Sequence, residues 1–452
     1  MKMPHKLLGL LAMSALACDP QHAEWGLEAI RTLPTPPDPP NLTCGVTLPT
    51  DSHALERASC TFAPGTHAED TLGLTPELAA AMPIRHIIVL MKENRSFDHL
   101  FGSLHTDQPE TEGVPPEFVN PDVNGEPIQA FHQTNTCLAQ DPGHQSAQMA
   151  VCVNGGKMDG FVRNAAESTG TDGRFAMGMY TAQDLPFNYW LANTFALSDR
   201  HFAPMRSSTY GNRNFVLFAS NAGVVDTGIV FPPPTTLSVL HLLMGAGFTW
   251  GAYSNDEVFS GALNWHADSP GVHSLEELYT ALKEGTLPNV VFIDADENVT
   301  DDHPSADLQA GEAWTRKIYD RVVASPQWPQ TAMVWTYDEG GAFFDHVPPP
   351  PGCQASADSP FTERGVRVPL VVISPWAKRH YVSHVVHDHT AITRLIETVF
   401  HLPALTARDA NSDALLDMFD FSCGRDLSVE APPEPGHGAC GQAGAGTETG
   451  GT

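Results

Sequence analysis

Short runs of unbroken apolar, largely β-branched residues recur through the middle of the chain: Ile87-Ile88-Val89-Leu90-Met91, Val290-Val291-Phe292-Ile293, Ala332-Met333-Val334-Trp335-Thr336 and Leu370-Val371-Val372-Ile373. Apolar at every position rather than at alternate ones, they predict strands buried on both faces of a sheet. Between them the period changes. Across Gly311 to Ala324, Trp314, Ile318, Tyr319, Val322 and Val323 fall near helical spacing; across Thr390 to Phe400, Ile392, Leu395, Ile396 and Val399 form one stripe. Phe215 to Ala219 reads as a further helical stretch. Strand alternating with helix predicts a doubly wound α/β domain, its largely parallel sheet sandwiched by helices. Ligands in such folds gather beyond the carboxyl ends of the strands, so the residues following each strand carry the functional reading.

Outside residues 81–425, the expected catalytic domain, the pattern dissolves. Residues 18–80 form a Pro-rich N-terminal extension in which Leu33 to Pro40 predicts an extended linker. Residues 426–452, with Ala431-Pro432-Pro433-Glu434-Pro435 and a Gly/Ala/Thr-rich end, predict a flexible tail. Lys2 and Lys6, the apolar run Leu7 to Ala17 and the small residues Ala15 and Ala17 predict a signal peptide over residues 1–17. The protein is therefore expected to be exported, as a periplasmic, cell-surface or secreted protein. Ala15-Leu16-Ala17-Cys18 approximates a bacterial lipobox, which makes Cys18 a candidate lipid anchor; ordinary cleavage after Ala17 is the alternative.

None of the eight cysteines forms a CxxC pair, which argues against a zinc ribbon or a thioredoxin-like site. Export favours disulfides, and proximity suggests Cys44–Cys60, Cys137–Cys152 and Cys423–Cys440, leaving Cys18 and Cys353. The formal net charge of −29 excludes nucleic acid as a partner, because phosphate backbones need a basic face. It also excludes electrostatic docking on anionic lipid. A phosphate substrate stays compatible, since a bound metal inverts the sign of a local site.

The first strand runs into Glu93 and Asn94, with Ser96 placed to cap the next helix. A carboxylate and an amide oxygen at a strand end suit a hard divalent cation or a phosphate contact. The strand at 332–337 runs into Asp338-Glu339-Gly340-Gly341 and then Asp345-His346. Adjacent carboxylates repel unless a cation lies between them or one is protonated, and the glycines would let the backbone approach a ligand. Ser207-Ser208-Thr209 precede a helical stretch, and a helix N-terminus offers free N–H groups to phosphate. His303, in Asp301-Asp302-His303-Pro304, could ligate metal, bind a phosphoryl oxygen or protonate a leaving group. His86, His99, His241, His380, His384 and His387 are read as packing or surface residues.

Together these elements resemble the phosphoesterase family of bacterial phosphocholine-preferring phospholipases C and acid phosphatases, within the alkaline-phosphatase-like superfamily. The resemblance runs from about Pro83 to Phe421 and rests on IRHIIVLMKENRSFDHLFG (84–102), GGKMDGF (155–161), STYGNR (208–213), DDHPSAD (301–307), TYDEGGAFFDHVPPP (336–350) and RVPLVVISPWAK (367–378). It implies one divalent metal ion of open identity on Glu93, Asn94, Thr209, Asp338 and Glu339, with Thr209 as nucleophile. It implies that Asn94, His144 and His303 contact the substrate phosphate, with His303 also catalytic, and that Asp345 and His346 support the ligands from behind. The substrate implied is a phosphate ester, with a phospholipid diester favoured; a phosphomonoester and an inactive, surface-anchored binding relative are the alternatives. Around the nucleophile the phospholipase branch shows Gly-Pro-Thr-x-Pro-Asn-Arg where this chain has Ser207 to Arg213, lacking both prolines. The acid phosphatase branch has paired aspartates where this chain has Asp338-Glu339.

Overall fold

In the computed structural model, which describes residues 45–226, 232, 236–255, 271–359, 361–422 and 428–436, the apolar runs form the middle of an eight-stranded sheet. In chain order the strands are β1 (His86–Lys92), β2 (Ala196–Ser198), β3 (Trp250–Tyr253), β4 (Val272–His273), β5 (Val290–Asp294), β6 (Thr331–Tyr337), β7 (Leu370–Ile373) and β8 (Tyr381–Ser383). Their spatial order is β8-β2-β7-β6-β1-β5-β3-β4. The central strand β1 runs parallel to β5 on one side and β6 on the other, and every residue of the three is buried. Unbroken apolar sequence is what a strand covered on both faces requires. β7 is antiparallel to both β6 and β2, so the sheet is largely but not wholly parallel.

The helices that matter below are α1 (Phe97–Phe101), α2 (Ser146–Val153), α3 (Pro186–Thr194), α4 (Thr209–Phe218), α5 (Leu308–Ala324) and α6 (Thr390–Val399). α5 starts three residues before the predicted stretch at Gly311, because Asp307 caps it through the Gln309 N–H. Leu308, Trp314 and Ile318 of α5 and Ile392, Leu395 and Ile396 of α6 share one core with the sheet. Among the described residues no helix is long and apolar enough to cross a membrane.

The regions beyond the predicted domain carry contacts of their own where they are described. Residues 45–81 carry short helices at Ala54–Ala58, Ala68–Leu72 and Pro76–Ala81, and Leu72 and Leu74 enter the main core. Arg57 is buried there, donating to Thr71 O (2.6 Å) and pairing with Asp51. The tail is also tied down where it is described: Arg316 donates to Pro433 O (2.6 Å) and the Gly436 N–H to Glu312 Oε2 (2.8 Å). Two of the three cysteine pairings suggested by proximity fail. Cys60 is bonded to Cys353, 293 residues away, Cys137 is bonded but not to Cys152, and Cys152 is free and buried. Fold distance, not chain distance, brings sulfurs together. The signal peptide, Cys18, the Leu33–Pro40 run, Cys44, Cys423 and Cys440 lie outside the described residues.

Candidate functional site

Because β6, β1 and β5 are adjacent and run the same way, the chain leaves the sheet three times at one edge. β1 delivers Glu93 and Asn94, β6 delivers Asp338 and Glu339, and β5 ends on Asp294, which pairs level with Met91. All five side chains are buried. Asn94 turns the chain with φ +60°, a left-handed conformation that asparagine tolerates better than most residues. Its N–H donates to Asp338 Oδ1 (3.2 Å), binding the two strand ends together. Ser96 caps α1 as expected, accepting from the His99 N–H (3.2 Å), and its hydroxyl donates to Phe344 O (2.6 Å).

The two glycines after Glu339 serve a different approach from the one expected. A Cβ on Gly341, at φ +59°, would lie 2.4 Å from Asn94 O, and one on Gly340 would lie 2.2 Å from Val366 Cγ2. The space lets the chain itself close on the Asn94 turn.

The predicted hydroxyl segment does begin a helix. Thr209 is the first residue of α4, and Ser208 stands at the N-cap in extended conformation, yet its side chain makes no capping bond. Ser208 Oγ is buried without a hydrogen-bond partner, and Thr209 is 7% exposed. Asn212 clamps the entering loop instead, donating to Ser207 O (2.8 Å) and accepting from the Met205 N–H (3.0 Å). The first-turn N–H groups of α4 are thus left without a side-chain cap, the condition under which a helix N-terminus receives an anion. One turn on, Arg213 spreads its guanidinium over three carboxylates: Nε to Asp338 Oδ2 (3.1 Å), Nη1 to Asp294 Oδ1 (2.9 Å) and Nη2 to Glu93 Oε1 (3.1 Å). Residues four apart share a helix face, so the face carrying Thr209 is the one turned to the strand ends.

The electrostatics of this edge are one-sided. Burial lifts the Glu93 carboxyl well above its ordinary value; Arg213 opposes the shift, and Asp338, Asp301 and Asp294 add to it. Glu339 is lifted by burial and then by Asp338. Burial alone would lower Arg213, but Glu93, Asp338 and Asp294 outweigh it and hold the guanidinium charged. Among the described residues, the ion pair that Glu339 makes is with His144 Nε2, 3.8 Å away.

His144 and His303 meet here, ring centroids 6.0 Å apart, with Asp141 beside both. One end of the Asn94 amide lies 3.0 Å from His303 Nε2; the other lies 3.3 Å from Asp338 Oδ1 and 3.0 Å from Glu339 Oε1. With its nitrogen toward the carboxylates the amide bridges them. With its oxygen toward them three oxygens converge, which calls for a cation or a protonated carboxyl.

Asp345 and His346 lie apart from this group. His346 Nδ1 contacts Asp98 Oδ2 (2.6 Å), and Arg367 donates to Asp345 Oδ1 (2.9 Å) and Asp98 Oδ1 (2.8 Å). Their link to the strand ends runs through Asp98 on α1. Three groups of acidic and histidine side chains converge closely enough to hold an ion among the described residues: Asp141–His144–His303, Asp98–Asp345–His346 and His387–Asp413–Asp417. The predicted set Glu93, Asp338 and Glu339 is not one of them, since Arg213 reaches between Glu93 and Asp338. Arg213, Asp294 and Asp141 received no role from sequence. Asp294 sits one residue past the predicted end of its strand, and Arg213 four residues past Thr209, which is the helical spacing that could have revealed it.

A family model described as "Phosphoesterase family" matches residues 84–403. The chain is similar to "Non-specific phospholipase C3" of Arabidopsis thaliana, 31% identical over 380 residues that cover 73% of this chain and 72% of that one. It is also similar to "Phospholipase C B" of Mycobacterium tuberculosis, 28% identical over 440 residues and 82% of each. Among solved structures, the lipoteichoic acid synthase LtaP from Listeria monocytogenes aligns at a TM-score of 0.40 and 9% identity, covering 80% of this chain and 82% of that one.

Proposed function

Because the chain belongs to the phosphoesterase family and is a hydrolase acting on phosphate ester bonds, we propose that it is an exported phospholipase C-type enzyme that cleaves a phospholipid phosphodiester through Thr209. The observation that carries the reading is α4: its uncapped N-terminus and its Arg213 lie on one helix, and Arg213 reaches the carboxylates at the strand ends. Relatives named as phospholipases C, aligned over most of both chains, favour the diester.

Glu93, Asn94, Asp338, Glu339 and the Thr209 hydroxyl are the oxygen donors that would hold a hard divalent cation; Arg213 reaches between Glu93 and Asp338, so Asp338 and Glu339, the latter buried with a distant histidine as its ion-pair partner, would carry most of its charge. Such a cation would supply positive charge that lowers the Thr209 hydroxyl pKa and draws electron density from the phosphoryl group. Thr209 Oγ1 loses its proton to solvent and attacks phosphorus in line, the bond to the diacylglycerol oxygen breaks, and the threonine phosphodiester that still carries the headgroup is then hydrolysed by water, which restores Thr209 and releases the phosphorylated headgroup. The first-turn N–H groups of α4 receive phosphoryl oxygens as charge develops. His303 donates a proton to the departing alkoxide, with Nδ1 held on the Pro304 carbonyl (2.5 Å). His144 holds a phosphoryl oxygen beside it. Asp345 and His346 act at a distance, fixing α1 through Asp98.

Residues 81–425 form the catalytic domain in this reading, and Cys18 is its lipid anchor. Cysteine parity supports the anchor: with Cys152 free, seven of the eight cysteines remain, an odd number that cannot all pair within the chain. Intact mass of the mature protein tests it; an unmodified Cys18 at the N-terminus removes the anchor.

Activity on phosphatidylcholine, p-nitrophenyl phosphorylcholine and p-nitrophenyl phosphate, each with and without chelator, tests the reaction. Diester cleavage lost on chelation is expected; cleavage of the monoester alone would move the enzyme to the phosphatase branch. Thr209→Ala should lower kcat by about a thousandfold or more. If Ser208→Ala does so while Thr209→Ala keeps a tenth of the rate, the nucleophile is Ser208.

A further inference from the structure

The segment after β1 and the turn that carries His303 are fastened together residue by residue. The Glu93 N–H donates to Asp301 O (2.8 Å), Arg95 Nε donates to Asp302 O (2.8 Å), and Asn94 meets His303 Nε2 at 3.0 Å. At the base of this clasp Lys92 Nζ is ion-paired with Asp302 Oδ1 at 2.9 Å, both side chains essentially inaccessible to water. Lys92 directly precedes Glu93 and Asn94, and Asp302 directly precedes His303, so the pair fixes the two segments one residue upstream of the groups that must meet.

Three further observations show how narrowly the pair is held. Asp302 Oδ2 accepts from the Tyr337 hydroxyl (2.5 Å) at the end of β6. Gly311 of α5 covers the pair, and a Cβ there would lie 1.7 Å from Asp302 Oδ1 and 2.6 Å from Lys92 Nζ. Asp302 itself sits at φ +76°, a left-handed conformation that aspartate reaches more readily than most residues, which turns the chain sharply into His303. A buried ion pair is weak evidence of a stabilising device, because apolar residues of similar volume commonly do as well or better. What the pair supplies is a fixed geometry for the next residue.

We propose that Lys92, through its buried ion pair with Asp302, is a positioning residue that holds His303 at the leaving group in the phosphodiester cleavage described above. The proposal rests on that reading of His303. A proton donor displaced by about an ångström can cost about a hundredfold in rate, and the loss concentrates where the leaving group needs the proton. An alkoxide leaving from a phospholipid needs it; p-nitrophenolate, already a stable anion, does not.

The test uses the full-length enzyme and three variants, His303→Ala, Tyr337→Phe and the double variant Lys92→Met/Asp302→Asn, which leaves no lone charge buried. Each is assayed for kcat and KM on phosphatidylcholine in mixed micelles and on p-nitrophenyl phosphorylcholine, with thermal unfolding measured alongside. The double variant should fold, keep KM within about threefold, and lose about a hundredfold in kcat on phosphatidylcholine but less than about tenfold on the activated ester. Tyr337→Phe, which removes one hydroxyl and keeps the ion pair, should change the same ratio in the same direction by less. If the double variant fails to fold, the Tyr337→Phe ratio decides alone. Equal losses on the two substrates, or none, while His303→Ala stays selective for phosphatidylcholine, would overturn the positioning role and leave the function standing. A His303→Ala enzyme that loses equally on both substrates would overturn the role of His303 and the proposal with it.

Discussion

Arg213 has three hydrogen-bonding nitrogens directed at three carboxylates, one each on Glu93, Asp294 and Asp338. It takes a single oxygen from each, which fixes where their remaining oxygens point. Arg213→Met would leave buried charge uncompensated, and breaking such a pair by removing one partner costs about 3–5 kcal/mol. Urea unfolding of the variant in chelator should show a loss of that order; a change below about 1 kcal/mol would mean that water or a relaxed loop takes over the neutralisation. The residue was in plain view within the STYGNR motif. It escaped notice because its partners lie 81 to 125 residues away in sequence, and a lone arginine in a helix reads by default as a surface residue. Glu93, Asn94, Asp338 and Glu339 are marked in the sequence for the opposite reason: each lies within three residues of the end of an apolar run, and a polar group at a buried strand end needs a partner or a ligand.

Elements show the same division. The four unbroken apolar runs form strands with ends shifted by one residue or not at all, because full burial on both faces leaves a continuous signature. β2, β3, β4 and β8 are four residues or shorter and carry no such signature. The reversed direction of β7 is invisible as well, since an apolar run has no polarity of its own. Close approach between elements can be tested at glycines. Gly341→Ala must accept φ +59° and a Cβ 2.4 Å from Asn94 O, whereas Gly73→Ala must accept φ +67° with its nearest neighbour 4.0 Å away. Gly73→Ala should cost about 1–2 kcal/mol for the backbone alone, and Gly341→Ala a further 1–3 kcal/mol, roughly the cost of overpacking. Equal costs, read from urea midpoints, would show that the Asn94 turn yields freely.

At the scale of the whole molecule, the chain outside the central domain is fastened by contacts that no local pattern encodes. The Cys60–Cys353 bond closes a loop across 293 residues, and replacing both cysteines should cost about 5–6 kcal/mol at most on the chain-entropy account, read from the urea midpoint under non-reducing conditions. The cluster of Asp98, Asp345, His346 and Arg367 gives the molecule a pH signature of its own. Burial pulls the His346 pKa down, but hydrogen bonds to Asp98 and Glu112, with the charge of Asp98 and Asp345, outweigh it and carry it up to about 9 from an ordinary 6.5. Burial carries Asp345 up to about 6 from 3.8, against the pull of Arg367. A raised folded-state pKa means that the native protein holds its proton more tightly than the unfolded chain does. The His346 contribution is therefore complete below pH 6.5 and fades as pH rises toward 9. That of Asp345 fades between about pH 4 and 6. Stability should fall over the upper window by an amount on the order of 3 kcal/mol at most. Thermal unfolding at constant ionic strength should show a declining Tm from pH 6.5 to 9 in the wild type. His346→Asn removes the titrating group and should flatten that limb while leaving the decline between pH 4 and 6; Asp345→Asn should do the reverse. A His346→Asn protein that keeps the full upper slope would mean that the imidazolium is not what this cluster loses at alkaline pH.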